Sequence, residues 1–291
     1  MQVTLLNQLA LDLVARDFSD EHKPTNGGPT MTSRALAIIH LAARDAYVSA
    51  RKTWPGPAPS SVLGTLPKLS IAVGSEQEDL AVALAAAVAA GVRAAELLYP
   101  DSLAFISEKT KAFDYGTNPA AAHYGSEVGR AWYEHRRGDG SALPQTDYMF
   151  SQEVGRHRPD PLNPKQDTLG RNWGSVKPFL LPNDVETDAP LRAPYDLGSV
   201  DYKNDFDEVY KCGRSNTPLG DAALRQKAIT GIFWGYDGSN KLGTPPRLYN
   251  QVVVETAEFK GLDPFGKLNV LAAINAAMAD AGIAAWFWKY R

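Results

Sequence analysis

The chain has 291 residues, 44% of them hydrophobic, and its 30 Lys and Arg against 33 Asp and Glu give a formal net charge of −3 at pH 7. This indicates a globular protein of about one or two domains, and the balanced charge argues against nucleic acid or an anionic membrane surface as a partner. The single cysteine excludes an internal disulfide framework and a multi-thiolate metal site.

The N-terminal residues lack the features of a signal peptide, namely a basic start, a continuous apolar stretch and a small-residue cleavage site. This absence favours the cytoplasm, although a secreted mature form whose leader was removed is also compatible with the sequence, so the localisation stays open. The alanine-rich run 80–95 is followed closely by charge, at Arg93 and Glu96. We therefore expect no membrane span.

The first two predicted helices show apolar residues at helical spacing. In the first, Val3, Leu6 and Leu13 share one face. The second is predicted over 32–52, and Pro55 follows its end. Strand-like alternation is scarce, which favours an all-α fold.

The third predicted helix has the clearest start signal, because Ser75 and Glu78 have the spacing of a capping box. Pro100 marks its far end, and alanine fills its interior. Since alanine side chains are short, a neighbouring helix can approach closely. The segment is therefore predicted to be a buried packing element.

Two further helices are predicted before residue 140. Asp101 is predicted to cap a fourth helix that ends near Phe113. Asn118 and Pro119 supply a cap and a first-turn proline for a fifth helix ending near Gly138.

A long irregular segment follows, in which eight prolines fall between residues 141 and 200. Such long loops in compact proteins are usually functional or disordered. Its aromatic content argues against disorder. We therefore expect an ordered segment draped over the helices. The aromatic residues are Tyr148, Phe150, Trp173, Phe179 and Tyr195.

Helical spacing returns over 202–211, 220–234 and 246–259, and a final helix begins at Asp263 and Pro264 with another cap and first-turn proline. The chain is thus predicted to contain three regions. They are an N-terminal helical region 1–140, a long ordered loop segment 141–200, and a helical region 201–291.

The histidines offer no obvious metal site, because none of them forms the i, i+4 pair typical of helical metal ligands. His40, on a helix of mostly apolar residues, is predicted to be a hydrogen-bonded core or surface residue. The five histidines are His22, His40, His123, His135 and His157.

A lysine ends an apolar line along the last helix, and Trp286 precedes it by one helical turn. Two interpretations remain open for Lys289. It is a cation favoured in the last turn of a helix, or it is an anion-binding lysine that is partly desolvated beside the indole ring. The line consists of Leu271, Met278, Gly282, Ala285 and Lys289.

The stretches WGYDGSNKLGTPPRLYNQ (234–251) and DAGIAAWFWKYR (280–291) resemble the vanadium-dependent haloperoxidases, members of the type 2 phosphatidic acid phosphatase and haloperoxidase superfamily. The stretches NQLALDLVARD, RALAIIHLAARDAYVSA and GRNWGSVKPFLL resemble bacterial members. The resemblance implies an all-α helical bundle of the haloperoxidase type with the long irregular proline-rich segment. The region 201–291 would begin the catalytic bundle.

The family builds its site from three motifs: a lysine with a following arginine, a Ser-Gly-His segment, and an arginine with the vanadate-linked histidine. Lys289 resembles the first lysine, and the other two motifs are absent from the 291 residues. We therefore expect the N-terminal half of a longer protein, ending inside the first motif after Arg291. Nicking by a trypsin-like protease is one hypothesis for that end. The C-terminal half would be a partner.

The resemblance assigns roles to three residues. Lys289 would bind a vanadate oxygen and act in catalysis together with Trp286, whose ring resembles a tryptophan of the halide-side pocket. Asp237 resembles the aspartate that pairs with a vanadate-binding arginine, whereas its plain interpretation is a turn residue before Gly238. The vanadate-linked histidine would lie in the missing half, so no metal ligand is expected in this chain.

The activity implied by the resemblance is the oxidation of halide by hydrogen peroxide to hypohalous acid, with vanadate as the cofactor. This chain alone is expected to be inactive without the C-terminal half. An acid phosphatase on the same fold is one alternative. A non-catalytic helical scaffold is another if the gene ends at Arg291. We also expect a homo-oligomer, because the alanine-rich helix and the long segment suit packing between subunits.

Overall fold

A computed structural model describes residues 1–19, 23–116, 118–145, 147–154, 156–182, 184–190, 194–214 and 220–290. Within these ranges the chain forms eleven α-helices and two short 3-10 helices, and no strand. The predicted all-α fold is therefore confirmed.

The α-helices of the described ranges are numbered in chain order. They are α1 (Gln2–Asp17), α2 (Gly28–Ala50), α3 (Glu76–Leu98), α4 (Leu103–Thr110), α5 (Pro119–Arg137), α6 (Val185–Asp188), α7 (Val200–Cys212), α8 (Ala222–Trp234), α9 (Pro245–Glu255), α10 (Ala257–Gly261) and α11 (Pro264–Lys289).

The centre of the core is α2, which packs against α3, α5 and α11. The alanine-rich α3 lies against α5 so closely that a Cβ atom on Gly125 would be 2.1 Å from the carbonyl oxygen of Ala86. Leu268 and Leu271 of α11 enter the same core as α1, α2 and α3. The first and third predicted regions thus share one core, against which Phe179 of the long segment packs, and the division of the chain into three units stays a prediction.

Three predicted helix starts are confirmed by their hydrogen bonds. The Ser75 hydroxyl accepts from the N–H of Glu78, the Asn118 side chain accepts from Ala120, and the Asp263 carboxylate accepts from Gly266 at 2.7 Å. Each cap satisfies an N–H group that has no partner within its helix.

Other predicted boundaries were wrong. The second helix begins at Gly28 and not near residue 32, since Pro29 fits the first turn of a helix. Asp101 lies in a 3-10 helix, Pro100–Ser102, and caps nothing there.

The helix predicted over 246–259 is two helices, α9 and α10. Thr256 is extended at φ −66° and ψ 149°, and its hydroxyl accepts from the N–H of Phe259, so it caps a new helix. The carboxyl end of α9 and the start of α10 therefore meet at one residue.

Over its described residues the long segment lies against α11. Trp173 and Val176 are buried beside Ile283 of α11. The Arg136 guanidinium lies 3.8 Å from the ring centroid of Phe179 and donates to the carbonyl of Pro178 at 3.0 Å. These contacts fix the path of the segment toward the end of α11.

Buried aspartates on the helices hold the loops by accepting backbone N–H groups. Such charge-assisted bonds are stronger than neutral ones, and they satisfy loop donors that would otherwise be buried without partners. The pairs are Asp17 with residues 25–26, Asp45 with 62–63, Asp79 with 52–53, and Asp280 with 179–181.

A buried polar network joins α1, α2, α9 and α11. The ring nitrogens of His40 lie 2.8 Å from the carbonyl oxygen of Leu36 and 3.0 Å from Asn7 Oδ1. Asn250 donates to Asn275 at 2.8 Å. Burial lowers the pKa of His40 to about 4, so the ring is neutral at neutral pH.

Two helices, α3 and α11, are long and apolar enough to cross a membrane by length and composition, contrary to the expectation for the alanine-rich run. The charges at Arg93 and Glu96 are too few to exclude α3 by composition. In α3, 67% of the apolar stretch is buried in the protein, against 44% in α11. Packing on α2 and α5 accounts for the apolar composition of α3.

Candidate anion site at the end of the last helix

The last turn of α11 presents Lys289 beside two aromatic rings. The ammonium nitrogen lies 4.8 Å from the ring centroid of Trp286 and 5.9 Å from that of Tyr290. The contact with Trp286 follows from the spacing. Lys289 is exposed, so its ammonium is not partly desolvated as one of the two interpretations requires. Its charge is therefore available to a ligand.

Both aromatic residues are fixed by the long segment. The indole N–H of Trp286 and the hydroxyl of Tyr290 each donate to the carbonyl oxygen of Leu169 at 2.8 Å. Gly170, with φ +72°, follows at a point where a Cβ atom would lie 2.6 Å from Trp286 Nε1. Only glycine allows this approach. The loop thereby fixes the ring on which the Lys289 ammonium lies.

Lys289 lines a pocket of about 390 Å³ between α11 and the long segment. Of the described residues, those of the segment 148–169 form most of its wall. The lining residues are Tyr148, His157, Arg158, Pro159, Asp160, Gln166, Asp167, Thr168, Leu169, Lys289 and Tyr290.

An aromatic cluster forms one side of this pocket. The ring centroids of Tyr148 and Tyr290 are 5.6 Å apart with their planes at 72°, and the His157 ring lies 6.2 Å from Tyr148. Burial raises the pKa of the Tyr290 hydroxyl, which therefore stays protonated and keeps donating. The cluster connects the end of α11 to the part of the segment that carries Arg158.

Asp237 lies in a turn and does not line the pocket of Lys289. Gly238 follows with φ +76°, which fits the plain interpretation as a turn. The turn docks on α1, because Lys241 donates its N–H to the carbonyl of Phe18 at 3.0 Å. Partial loss of hydration raises the pKa of the Asp237 carboxyl, although the residue is exposed overall. Within the described ranges no arginine pairs with it.

The structure thus brings Lys289 and Trp286 together and leaves Asp237 elsewhere. Arg291 and His22 lie outside the described residues. His157 and Arg158 are pocket residues that the sequence did not reveal, since no motif or periodicity marks them. Within the described parts of the chain no group of three His, Cys, Asp or Glu side chains is arranged to hold a metal ion.

The donors at this pocket suit an oxyanion such as vanadate. An ammonium and a guanidinium are strong donors to anionic oxygens. On the donors present, Lys289 fits a role in holding vanadate.

No protein-family model matches the sequence. Vanadium chloroperoxidase of Curvularia inaequalis is 39% identical over 72 residues, which are 21% of this chain and 11% of that protein. A crystal structure described as the first bacterial vanadium-dependent iodoperoxidase matches with a TM-score of 0.76 at 20% identity. The match covers 100% of this chain and 69% of that chain.

The chain is thus similar to vanadium-dependent haloperoxidases in part of its sequence and in its fold. Its helical architecture is the haloperoxidase fold, as the sequence resemblance implied. The matched stretch spans about a tenth of the curated haloperoxidase, and the solved haloperoxidase chain extends beyond the matched part.

Proposed function

We propose that this chain is the N-terminal part of a vanadate-dependent haloperoxidase that oxidises halide with hydrogen peroxide to hypohalous acid. The observation that carries the proposal is the position of Lys289. This exposed ammonium lies over Trp286 and lines a pocket at the end of α11, within the haloperoxidase fold.

The residues of this chain act by binding and positioning. With vanadate bound, Lys289 would donate to one of its oxygens and stabilise negative charge there. Trp286 holds the ammonium by a cation–π contact, and its bond to Leu169 keeps the ring in place. Bound vanadate supplies the activation of hydrogen peroxide. Lys289 and Trp286 are the catalytic residues proposed in this chain.

Asp237 is proposed to pair with a vanadate-binding arginine contributed from outside the 291 residues. Its exposed carboxylate is available for such a pair. An arginine nearby would lower the carboxyl pKa, which partial loss of hydration now raises. The pair would direct the guanidinium toward the oxyanion.

The surface of α7, α8 and α9 supports a C-terminal partner. Large apolar residues there are unusually exposed, including Val209 at 70% and Ile232 at 77%. Exposed large apolar side chains are candidates for burial against a partner. Because the solved family member extends beyond the matched part, we propose that the C-terminal part of the same protein covers this surface.

A homo-oligomer stays a proposal, although α3 does not support it. The alanine face of α3 is used inside the chain, where Gly125 and Gly129 of α5 lie against it. It is therefore not free to pack between subunits. Light scattering of the longer protein would measure the subunit number directly.

The test compares variants of the longer protein that contains this chain, loaded with vanadate. Lys289→Met is expected to lower kcat for bromide or iodide oxidation by about 10²-fold or more, and Lys289→Arg by less, because arginine keeps a donor. Lys267→Met is the matched control, since Lys267 also lies on α11 over an aromatic ring, 5.7 Å from Phe259. It is expected to leave halide oxidation within about twofold of the wild type.

Two further outcomes decide between the alternatives. Release of nitrophenol from its phosphate ester, without halogenation of monochlorodimedone, would replace the haloperoxidase by an acid phosphatase. Absence of both activities in the longer protein would favour the scaffold. Turnover by the 291 residues alone would contradict the proposed need for the C-terminal part.

A further inference from the structure

The pocket of Lys289 contains a second cation, Arg158, which comes from the long segment. Within the described part of the chain, neither Arg158 nor Lys289 has a carboxylate within ion-pair distance. Both are exposed. Two cations that line one pocket without carboxylate partners repel each other, and an anion bound between them would relieve this repulsion.

The two carboxylates of the pocket already have other partners. The Asp167 carboxylate accepts hydrogen bonds from both terminal nitrogens of Arg171, at 3.2 and 3.1 Å. Asp160 accepts from the N–H of Leu162 and from the side chain of Asn163, both at 2.9 Å.

The Asp167–Arg171 pair is neutral as a unit. The remaining charges of the pocket are Asp160 and the two cations, which leaves an excess of positive charge.

We propose that Arg158 and Lys289 together bind a small inorganic anion in this pocket, and that Arg158 is an anion-binding residue supplied by the long irregular segment. Only the identity of the anion rests on the proposed function: in a haloperoxidase it would be vanadate or the halide substrate. The segment would then serve the site and not only cover the helices. The ring contact between Tyr148 of the segment and Tyr290 after α11 keeps both cations at the same pocket.

Arg156 provides a matched control for this inference. It lies two positions before Arg158 and is also exposed, but it pairs with Glu153 at 3.8 Å and does not line the pocket. Loss of its charge changes the net charge of the protein as much as loss of Arg158. A difference between the two variants therefore reports on position and not on overall charge.

The experiment is isothermal titration of the whole chain with phosphate and, separately, with bromide at constant ionic strength, without vanadate or peroxide. Arg158→Gln is expected to weaken binding of the preferred anion by about two- to fivefold, because an exposed charge contributes only modestly to binding. Lys289→Gln is expected to weaken binding at least as much, and Arg156→Gln to leave it unchanged. Circular dichroism checks that each variant is folded.

The outcomes separate this inference from the proposed function. Wild-type binding of neither anion, or equal effects of Arg158→Gln and Arg156→Gln, would overturn the anion pocket even if the longer protein oxidises halide. Conversely, a selective effect of Arg158→Gln would uphold the pocket even if no halide oxidation is found. Preference for phosphate over bromide would identify the anion as a tetrahedral oxyanion, and the reverse preference would identify a halide.

Discussion

Asp280, on the core-facing side of α11, accepts the backbone N–H of Phe179 at 2.6 Å, although the two residues are 101 positions apart in the chain. The same carboxylate accepts from Leu180 at 2.8 Å and Leu181 at 3.2 Å. One side chain therefore satisfies three loop donors. This carboxylate is therefore one of the contacts that hold the long segment on α11.

Asp280→Asn should destabilise the protein by about 2–3 kcal/mol, since bonds to a charged group are lost and an amide donor can face the loop N–H groups. Denaturant unfolding would measure the change. Asp160→Asn is the comparison, because Asp160 also accepts a loop N–H but is exposed. Its effect should stay below about 1 kcal/mol. Equal effects would contradict the role assigned to Asp280.

The shared acceptor at Leu169 predicts non-additive mutations. Trp286→Phe or Tyr290→Phe removes one of two donors to the same carbonyl, and the other donor still satisfies it. Each single change should cost about 0.5–1 kcal/mol, and the double change should cost more than the two together. A double-mutant cycle by urea unfolding measures the coupling. Strict additivity would show that the two donors act independently.

The contact between α3 and α5 predicts that Gly129→Ala is strongly destabilising. Its Cβ atom would lie 2.4 Å from the carbonyl oxygen of Ala90, so the two helices would have to separate. The expected cost is about 3 kcal/mol. Gly231→Ala in α8 is the matched control, because nothing lies within 4 Å of its Cβ position, and it should stabilise by about 0.5–1 kcal/mol. Thermal unfolding measures both changes.

Burial of His40 predicts acid sensitivity. Its folded pKa is about 4 against 6.5 in the unfolded chain, so the unfolded state binds the additional proton between these values. Stability should therefore fall as the pH falls from 6.5 to 4, by roughly 2–3 kcal/mol. In His40→Gln this loss should be absent from the pH profile of the unfolding free energy. An unchanged profile would show that other groups cause the acid sensitivity.

The caps at Ser75, Asn118 and Asp263 were predictable because a cap is a local interaction between a side chain and an N–H group two or three residues later. The break at Thr256 was missed, since the apolar spacing continues through it. The 3-10 helix at Asp101 was missed for a similar reason: aspartate before an apolar run has the same sequence pattern whether or not it caps.

The sequence alone determined that the chain is all-α, that a long proline-rich segment divides its helices, and that Lys289 follows Trp286 by one helical turn. These features depend on residues that are close in the chain. Only the tertiary structure decided that Arg158 shares a pocket with Lys289, and that Leu169 fixes the ring beneath that lysine. Such placements depend on how a segment without periodicity packs on distant helices, and buried acceptors such as Asp280 determine that packing.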